Sequence, residues 1–190
     1  MIKIAVIIGS TRPERVGESV ARWVYDIAEQ RSDAEFELVD LKELDLPLLD
    51  EPAPPSMGQY SQPHTKAWAA KVASFDAYVF VTPEYNHGTP GALKNALDFV
   101  YAEWNNKAAG FVSYGSAGGA RAVEQLRLVA SELQMAHVRN QVMFSLFTDF
   151  QNMSEFTPHE RHQKSVDDML DQLIAWGCAL KTLRENAKAK

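Results

Sequence analysis

AYVFVTPEYNHGTPGALKNALD, residues 77–98, is the stretch from which the rest of the chain can be read. Residues 77–82 form a short, continuous run of apolar, β-branched and aromatic side chains, the pattern of a strand buried on both faces. The run stops at Pro83, and Glu84, Tyr85, Asn86 and His87 follow, four side chains able to hydrogen-bond or stack. Gly88 loosens the backbone, and Thr89-Pro90 reads as an N-cap with a first-turn proline, opening a helix through Leu93 and Leu97. A polar turn at the carboxyl end of a buried parallel strand is where open α/β sheets bind ligands. An ordinary strand-to-helix connection has the same composition, so this loop alone does not decide between the two.

Working outward, residues 4–8 are a second apolar run, followed by Gly9-Ser10-Thr11-Arg12-Pro13-Glu14-Arg15-Val16-Gly17. Val16, Val20, Trp23, Val24 and Ile27 then recur at helical spacing. This strand, donor-rich turn and helix open a βαβ unit. Ser10 and Thr11 offer hydroxyls, the helix start offers backbone N–H groups, and Arg12 and Arg15 add forked cationic donors suited to phosphate oxygens. There is no Gly-Lys-Ser/Thr ending and no G-x-G-x-x-G, which argues against a triphosphate loop and a dinucleotide pyrophosphate; a terminal monophosphate fits better. The competing reading puts both arginines on a solvated first turn, with Arg15 paired to Glu14 or Glu18.

Residues 36–41 read as another strand, and 42–63, interrupted by Pro47, Pro52, Pro54, Pro55 and Pro63, as a long connection. Its Leu46, Leu48, Leu49, Met57 and Tyr60 favour an ordered wrap near the ligand end of the sheet or across a subunit boundary. A helix at 64–74 leads into the central strand. The apolar segment 99–104 is either core or an association surface. Residues 107–114 form a fourth strand, ending in Gly115-Ser116-Ala117-Gly118-Gly119-Ala120-Arg121, whose glycines permit close approach to a flat ligand or merely a tight turn. A fifth strand lies within 138–147, Thr157-Pro158-His159-Glu160 reads as a capping box, and residues 187–190 are expected to fray after the last helix.

Five strands, each followed by a helix, imply an α/β fold with one parallel sheet and helices on both faces, in the order 2-1-3-4-5. That order puts the switch point between the first and third strands. Loops 9–17, 82–89 and 114–120 then share one rim. A single domain over 1–190 suits the length, which buries about 70% of the unfolded surface without staples. A net charge of −6 argues against a nucleic-acid surface, nothing approaches a membrane span, and the lone Cys178 fits a cytoplasmic setting.

Together the three turns resemble the NAD(P)H-dependent FMN reductases, the flavodoxin-like family that includes quinone, azo-dye and chromate reductases. The resemblance rests on Gly-Ser-Thr-Arg at 9–12, Pro-Glu-Tyr-Asn with Pro-Gly-Ala-Leu-Lys-Asn-Ala-Leu-Asp at 83–98, and Tyr-Gly-Ser-Ala-Gly-Gly at 114–119, and covers residues 1–150. It implies a flavodoxin-like three-layer sandwich holding FMN. The phosphate would lie on Ser10, Arg12 and the backbone from Arg15 to Gly17, and the ring beside Pro83, Glu84, Tyr85 and Asn86. Ser116, Gly118 and Gly119 would close on its pyrimidine side. Arg15 and Gly17 stand where many relatives carry serine and asparagine, which leaves open whether Arg15 faces phosphate. NADPH or NADH as co-substrate would deliver hydride to flavin N5, and a quinone, flavin, azo or metal-ion acceptor would collect it; no side chain is assigned as acid or base. Assembly as a homodimer or homotetramer is also implied, with 99–104 at the interface.

The alternative is a flavodoxin-type electron carrier with no pyridine-nucleotide step. A low-molecular-weight phosphatase would need a nucleophilic cysteine in the first turn, and residues 10–17 have none. His87 is expected to be solvated. His159 and His162 read as a solvated capping turn rather than metal ligands. Cys178 is expected to pack in the core, and Trp23, Trp68, Trp104 and Trp176 in core or interface.

Overall fold

The computed structural model describes residues 1–188. Its order is β1 (Ile2–Ile8), α1 (Gly17–Ala28), β2 (Ala34–Asp40), α2 (Leu41–Leu44), α3 (Pro63–Ala73), β3 (Ala77–Pro83), α4 (Gly91–Asp98), β4 (Ala108–Gly115), α5 (Ala120–Glu132), β5 (Ala136–Ser145), β6 (Phe150–Gln151), β7 (Glu155–Phe156) and α6 (Arg161–Lys188). The main sheet is parallel in the order β2-β1-β3-β4-β5, as the strand–helix alternation requires. Every residue of β3 and β4 is buried, which is why both read as unbroken apolar runs.

The sheet separates two cores. On one face Val20, Val24, Val166, Leu170 and Leu173 of α1 and α6 cover Ile4, Val6, Val79 and Val112. On the other, α3, α4 and α5 pack with Trp68, Leu93, Leu97, Val123 and Leu126 over Ile7, Tyr78, Phe80 and Phe111. Segment 99–104 belongs to this second core: Phe99, Val100 and Trp104 are buried, and Trp104 donates to the Leu97 carbonyl and stands edge-on to Tyr78. Its apolar character is therefore used inside the protomer, not as the association surface. Trp68 is also core, Trp23 packs on Phe144 and Phe156, but Trp176 is 42% exposed.

Residues 42–63 are an ordered wrap. Asn95 of α4 donates to the Pro47 carbonyl and accepts from the Leu49 N–H, while Glu51 accepts from Ser61 and Gln62. Tyr60 closes the wrap by donating to Glu103.

Four local expectations fail. α4 starts at Gly91 with Pro90, not Thr89, at the cap position, and the buried Thr89 hydroxyl has no partner. α6 starts at Arg161, beyond the proposed capping box, because the Thr157 N–H is drawn to the Asp149 carbonyl. His162 is buried and bonded to Asp149 at 2.8 Å instead of solvated. Cys178 is exposed, since α6 turns Gly177, not its neighbour, onto Ile2 and Ala77. α6 continues to Lys188, and the fraying expected at 187–190 falls largely outside the described residues.

Sequence reasoning missed the short antiparallel hairpin β6–β7 after the last sheet strand. Its base is aromatic, with Phe156 packed on Phe144 and Phe150. Asp149 secures that base, accepting from the Ser145 N–H, the Thr148 hydroxyl and His162.

Two stability measurements test this scheme. A Cβ on Gly9 would stand 2.9 Å from both the Val81 carbonyl oxygen and Leu93 Cδ2. Gly9→Ala is therefore expected to lower unfolding stability by about 1–3 kcal/mol in urea titrations. Burial pushes the Asp149 carboxyl up, but the Ser145 N–H, Thr148 hydroxyl and His162 outweigh it and hold it below its ordinary value of 3.8. A folded-state value below the unfolded one means stability that is complete above that ordinary value and is lost as pH falls through the folded one. Asp149→Asn is expected to cost about 2 kcal/mol at neutral pH and to flatten the acid limb of the urea midpoint against pH.

Candidate functional site

The β1–α1 turn is built around Arg15. Its guanidinium forks onto Asp40 at the end of β2, with one N–H···O contact of 2.9 Å, and also donates to the Ser10 carbonyl. Burial opposes the charge, but the hydrogen bond and charge of Asp40 outweigh it and raise Arg15 above its ordinary value. Arg15 is thus committed within the protein, its side chain only 5% exposed, and Glu18 lies 3.7 Å from it. Arg12 is exposed and forms no ion pair among the described residues. α1 begins at Gly17 with no side-chain cap from Val16, and the acidic residue of its first turn, Glu18, is paired to Arg22.

The turn after β3 is a two-residue reversal. Tyr85 and Gly88 exchange backbone hydrogen bonds of 3.0 Å, and the residues between them, Asn86 and His87, adopt left-handed conformations at φ 48° and 71°. The conformational freedom expected of Gly88 is therefore exercised by its neighbours, with Gln125 holding the His87 carbonyl at 2.9 Å. Both Asn86 and His87 are exposed. The Tyr85 hydroxyl meets the buried Ser10 hydroxyl at 2.9 Å, joining this turn to the first one.

Glu84 points elsewhere. Its carboxylate accepts from Arg121 Nε at 2.6 Å and from the Arg121 and Ala122 N–H groups at the start of α5. The Arg121 hydrogen bond holds it below the usual carboxylate range. Its own N–H is taken by the Tyr114 carbonyl. Glu84 thus ties the second turn to the third, and neither its carboxylate nor its N–H is left for a ring. In the third turn Ser116 is exposed, and Gly118 and Gly119 have left-handed φ values of 64° and 71°. A Cβ on Gly119 would strike Ser113 Cβ at 2.7 Å, so this glycine serves the turn's own closure.

The three turns meet at one hollow of about 190 Å³, walled by Arg12, Arg15, Val16, Pro83, Glu84, Tyr85, Tyr114, Gly115, Leu146 and Met153. Of the sequence-derived residues, Arg12, Arg15, Pro83, Glu84 and Tyr85 line it, Ser10 reaches it through Tyr85, and Gly17 adjoins Tyr114. Asn86, Ser116, Gly118 and Gly119 are not in its walls. A larger hollow of about 320 Å³ takes Thr11, but its other walls are 41–46 and α4, with nothing from the second or third turn.

Two contributors, Leu146 and Met153, lie outside the three turns read from the sequence, and a third, Tyr114, stands in the motif at 114–119 but was given no role. Tyr114 looks like the last apolar residue of a strand, yet its place opposite Pro83 in the register marks the same sheet edge. Burial raises its pKa, so its hydroxyl stays protonated against Gly17 and beside Ser10. Asp40 was legible too: it ends the strand next to β1 in the deduced order.

This donor set fits a phosphorylated flat ligand. An uncapped helix start, the exposed Arg12 guanidinium and the Tyr85 and Tyr114 hydroxyls, with Ser10 bonded behind Tyr85, surround a hollow with apolar walls at Pro83, Val16 and Leu146. Gly17 leaves no Cβ between the helix start and the Tyr114 hydroxyl.

The family model for NADPH-dependent FMN reductase matches residues 2–149. An NAD(P)H-dependent FMN reductase of Schizosaccharomyces pombe is 47% identical over 135 residues, which span 70% of this chain and 68% of the yeast protein. A 2-hydroxy-1,4-benzoquinone reductase of a Burkholderia species is 28% identical over 190 residues, 92% of this chain and 96% of that one. Among solved structures, the flavoenzyme NAD(P)H:acceptor oxidoreductase FerB of Paracoccus denitrificans superposes with a TM-score of 0.73, covering 93% of this chain and 97% of that one. Its identity is 22%, so it bears on the flavodoxin-like fold alone. With its turns gathered at the switch point and the match running through all three, the chain belongs to the NADPH-dependent FMN reductase family and is an FMN-dependent oxidoreductase using NAD(P)H.

Proposed function

We propose that the hollow between the three turns holds FMN and that the enzyme passes electrons from NAD(P)H to a quinone-class acceptor. The observation that carries this reading is the meeting of Arg12 with Tyr85 and Tyr114, both more than 70 residues further along the chain, around one cavity at the switch point. When bound, FMN supplies the hydride-accepting and electron-donating chemistry. The chain's residues bind and orient. Arg12 and the α1 N-terminus take the phosphate charge, the Tyr114 hydroxyl donates beside it, and the bonded Ser10–Tyr85 pair has one proton left to give. Arg15 gives the turn its shape through Asp40 and the Ser10 carbonyl, and Pro83 and Tyr85 flank the ring. Glu84 fixes the spacing of the turns that hold it.

A quinone-class acceptor is favoured by the substrate in the Burkholderia relative's name and by an open, partly aromatic mouth with Tyr85 at 37% exposure. The same proposal places the protein in the cytoplasm, where its free Cys178 remains reduced, and assembles it as a homodimer or homotetramer. Among the described residues no helix is long and apolar enough to cross a membrane.

The purified holoprotein is expected to lose its oxidised-flavin absorbance when mixed anaerobically with NADPH or NADH, and to regain it on addition of a benzoquinone. Bleaching by neither nucleotide would leave the electron-carrier reading in its place. Bleaching without reoxidation by quinone would redirect the search to free flavin, azo dyes or oxidised metal ions.

Substitutions separate the roles. Arg12→Ala is expected to weaken FMN binding about tenfold with little loss of stability, the signature of an exposed charge facing a phosphate. Arg15→Ala strands Asp40 and is expected to cost about 3 kcal/mol of stability as well as affinity. Gly17→Ala, whose Cβ collides with the Tyr114 hydroxyl, is expected to weaken FMN at least about tenfold by titration of the apoprotein.

A further inference from the structure

The hairpin β6–β7 lies past residue 149, where the family match ends, yet its tip reaches the hollow through Met153. Its turn is Gln151-Asn152-Met153-Ser154, closed by the Ser154 N–H on the Gln151 carbonyl at 3.1 Å. Asn152 and Met153 have φ values of 50° and 56°, so both occupy the left-handed region. Asparagine tolerates that region and glycine is preferred beside it, whereas a methionine there is strained. Met153 is nevertheless 59% exposed, so no core packing accounts for the residue. The base of the hairpin is rigid, through Phe150, Phe156 and the Asp149–His162 pair. A rigid base and a strained apolar tip aimed at a ligand hollow together point to a ligand contact.

We propose that Met153 is a cofactor-retaining residue, closing on the FMN in the hollow and setting how slowly the cofactor leaves. The inference rests on FMN occupying the hollow. Met153 shares the hollow with Arg12, Pro83, Tyr85, Tyr114 and Leu146, so a ligand that fills the hollow meets this side chain. Methionine suits such a contact, since its unbranched thioether fits irregular surfaces and packs favourably against aromatic rings. Retention of this kind makes FMN a resident group rather than a substrate that is released after each reduction.

The test is the rate at which free-flavin fluorescence appears after dilution of the full-length holoprotein. Met153→Gly removes the side chain and suits the left-handed backbone, so the apoprotein should melt no lower than the wild type while FMN leaves roughly tenfold faster. Met153→Leu restores apolar bulk and should release FMN at close to the wild-type rate. Asn152→Gly changes the turn but keeps the side chain, and should leave release unchanged. The inference is overturned by wild-type release from Met153→Gly, or by equally fast release from Met153→Leu and Met153→Gly. A wild-type protein that retains no FMN would instead count against the reading of the hollow itself.

Discussion

The approach of β1 to β3 at their carboxyl ends is the constraint on which the site depends. The Gly9 N–H donates to the Val81 carbonyl at 2.8 Å, extending the pairing of the two strands one residue beyond Ile8 and Val81. Only a residue without a side chain fits there, between a backbone oxygen and Leu93. The next residue on each side is then fixed in direction: Ser10 turns inward and buries its hydroxyl, and Tyr85, three residues past Thr82, reaches it at 2.9 Å. Two turns that leave the sheet toward opposite faces are thereby held in contact at their roots. The crevice is a consequence of strand order, and the glycine keeps it narrow.

The fold was legible because its central strands lie between helices on both faces. β3 and β4 have no exposed position, so nothing interrupts their apolar runs, and the alternation with helices leaves few orders open. Edge features were harder to read. β6 and β7 have two residues each, too short for any periodicity, and the turn between them reads Asn-Met where a hairpin signal would be Asn-Gly. The capping box at 157–160 failed because local pattern competed with a tertiary bond to Asp149, which a sequence window cannot contain.

Within the site, legibility followed the reach of each side chain. Arg12, Pro83 and Tyr85 act where their loops emerge, and the motif residues identified them. Glu84 belongs to the same motif, yet its carboxylate is spent on Arg121 and the start of α5, 37 residues along the chain. Tyr114 stands in the third motif but was given no role, for the opposite reason: it is buried like a core residue, and only its hydroxyl matters to the hollow. Position at a strand's carboxyl end was the informative property in both cases, more than residue type.

The arginines show why a phosphate turn of this kind can hold a carboxylate nearby. Asp40 would repel a dianion if its charge were free, but it is matched by Arg15 through a fork, and it also accepts from the Lys42 N–H to cap α2. The pair is close to neutral at a distance, so its electrostatic effect on the hollow is small compared with that of Arg12 and the α1 dipole. What the pair contributes is shape. Arg15 grips the Ser10 carbonyl, so the turn cannot open without breaking the fork to Asp40. Replacing Arg15 by a neutral donor would free Asp40 to face the phosphate. Arg15 and the carboxylate at the end of β2 therefore make physical sense only together.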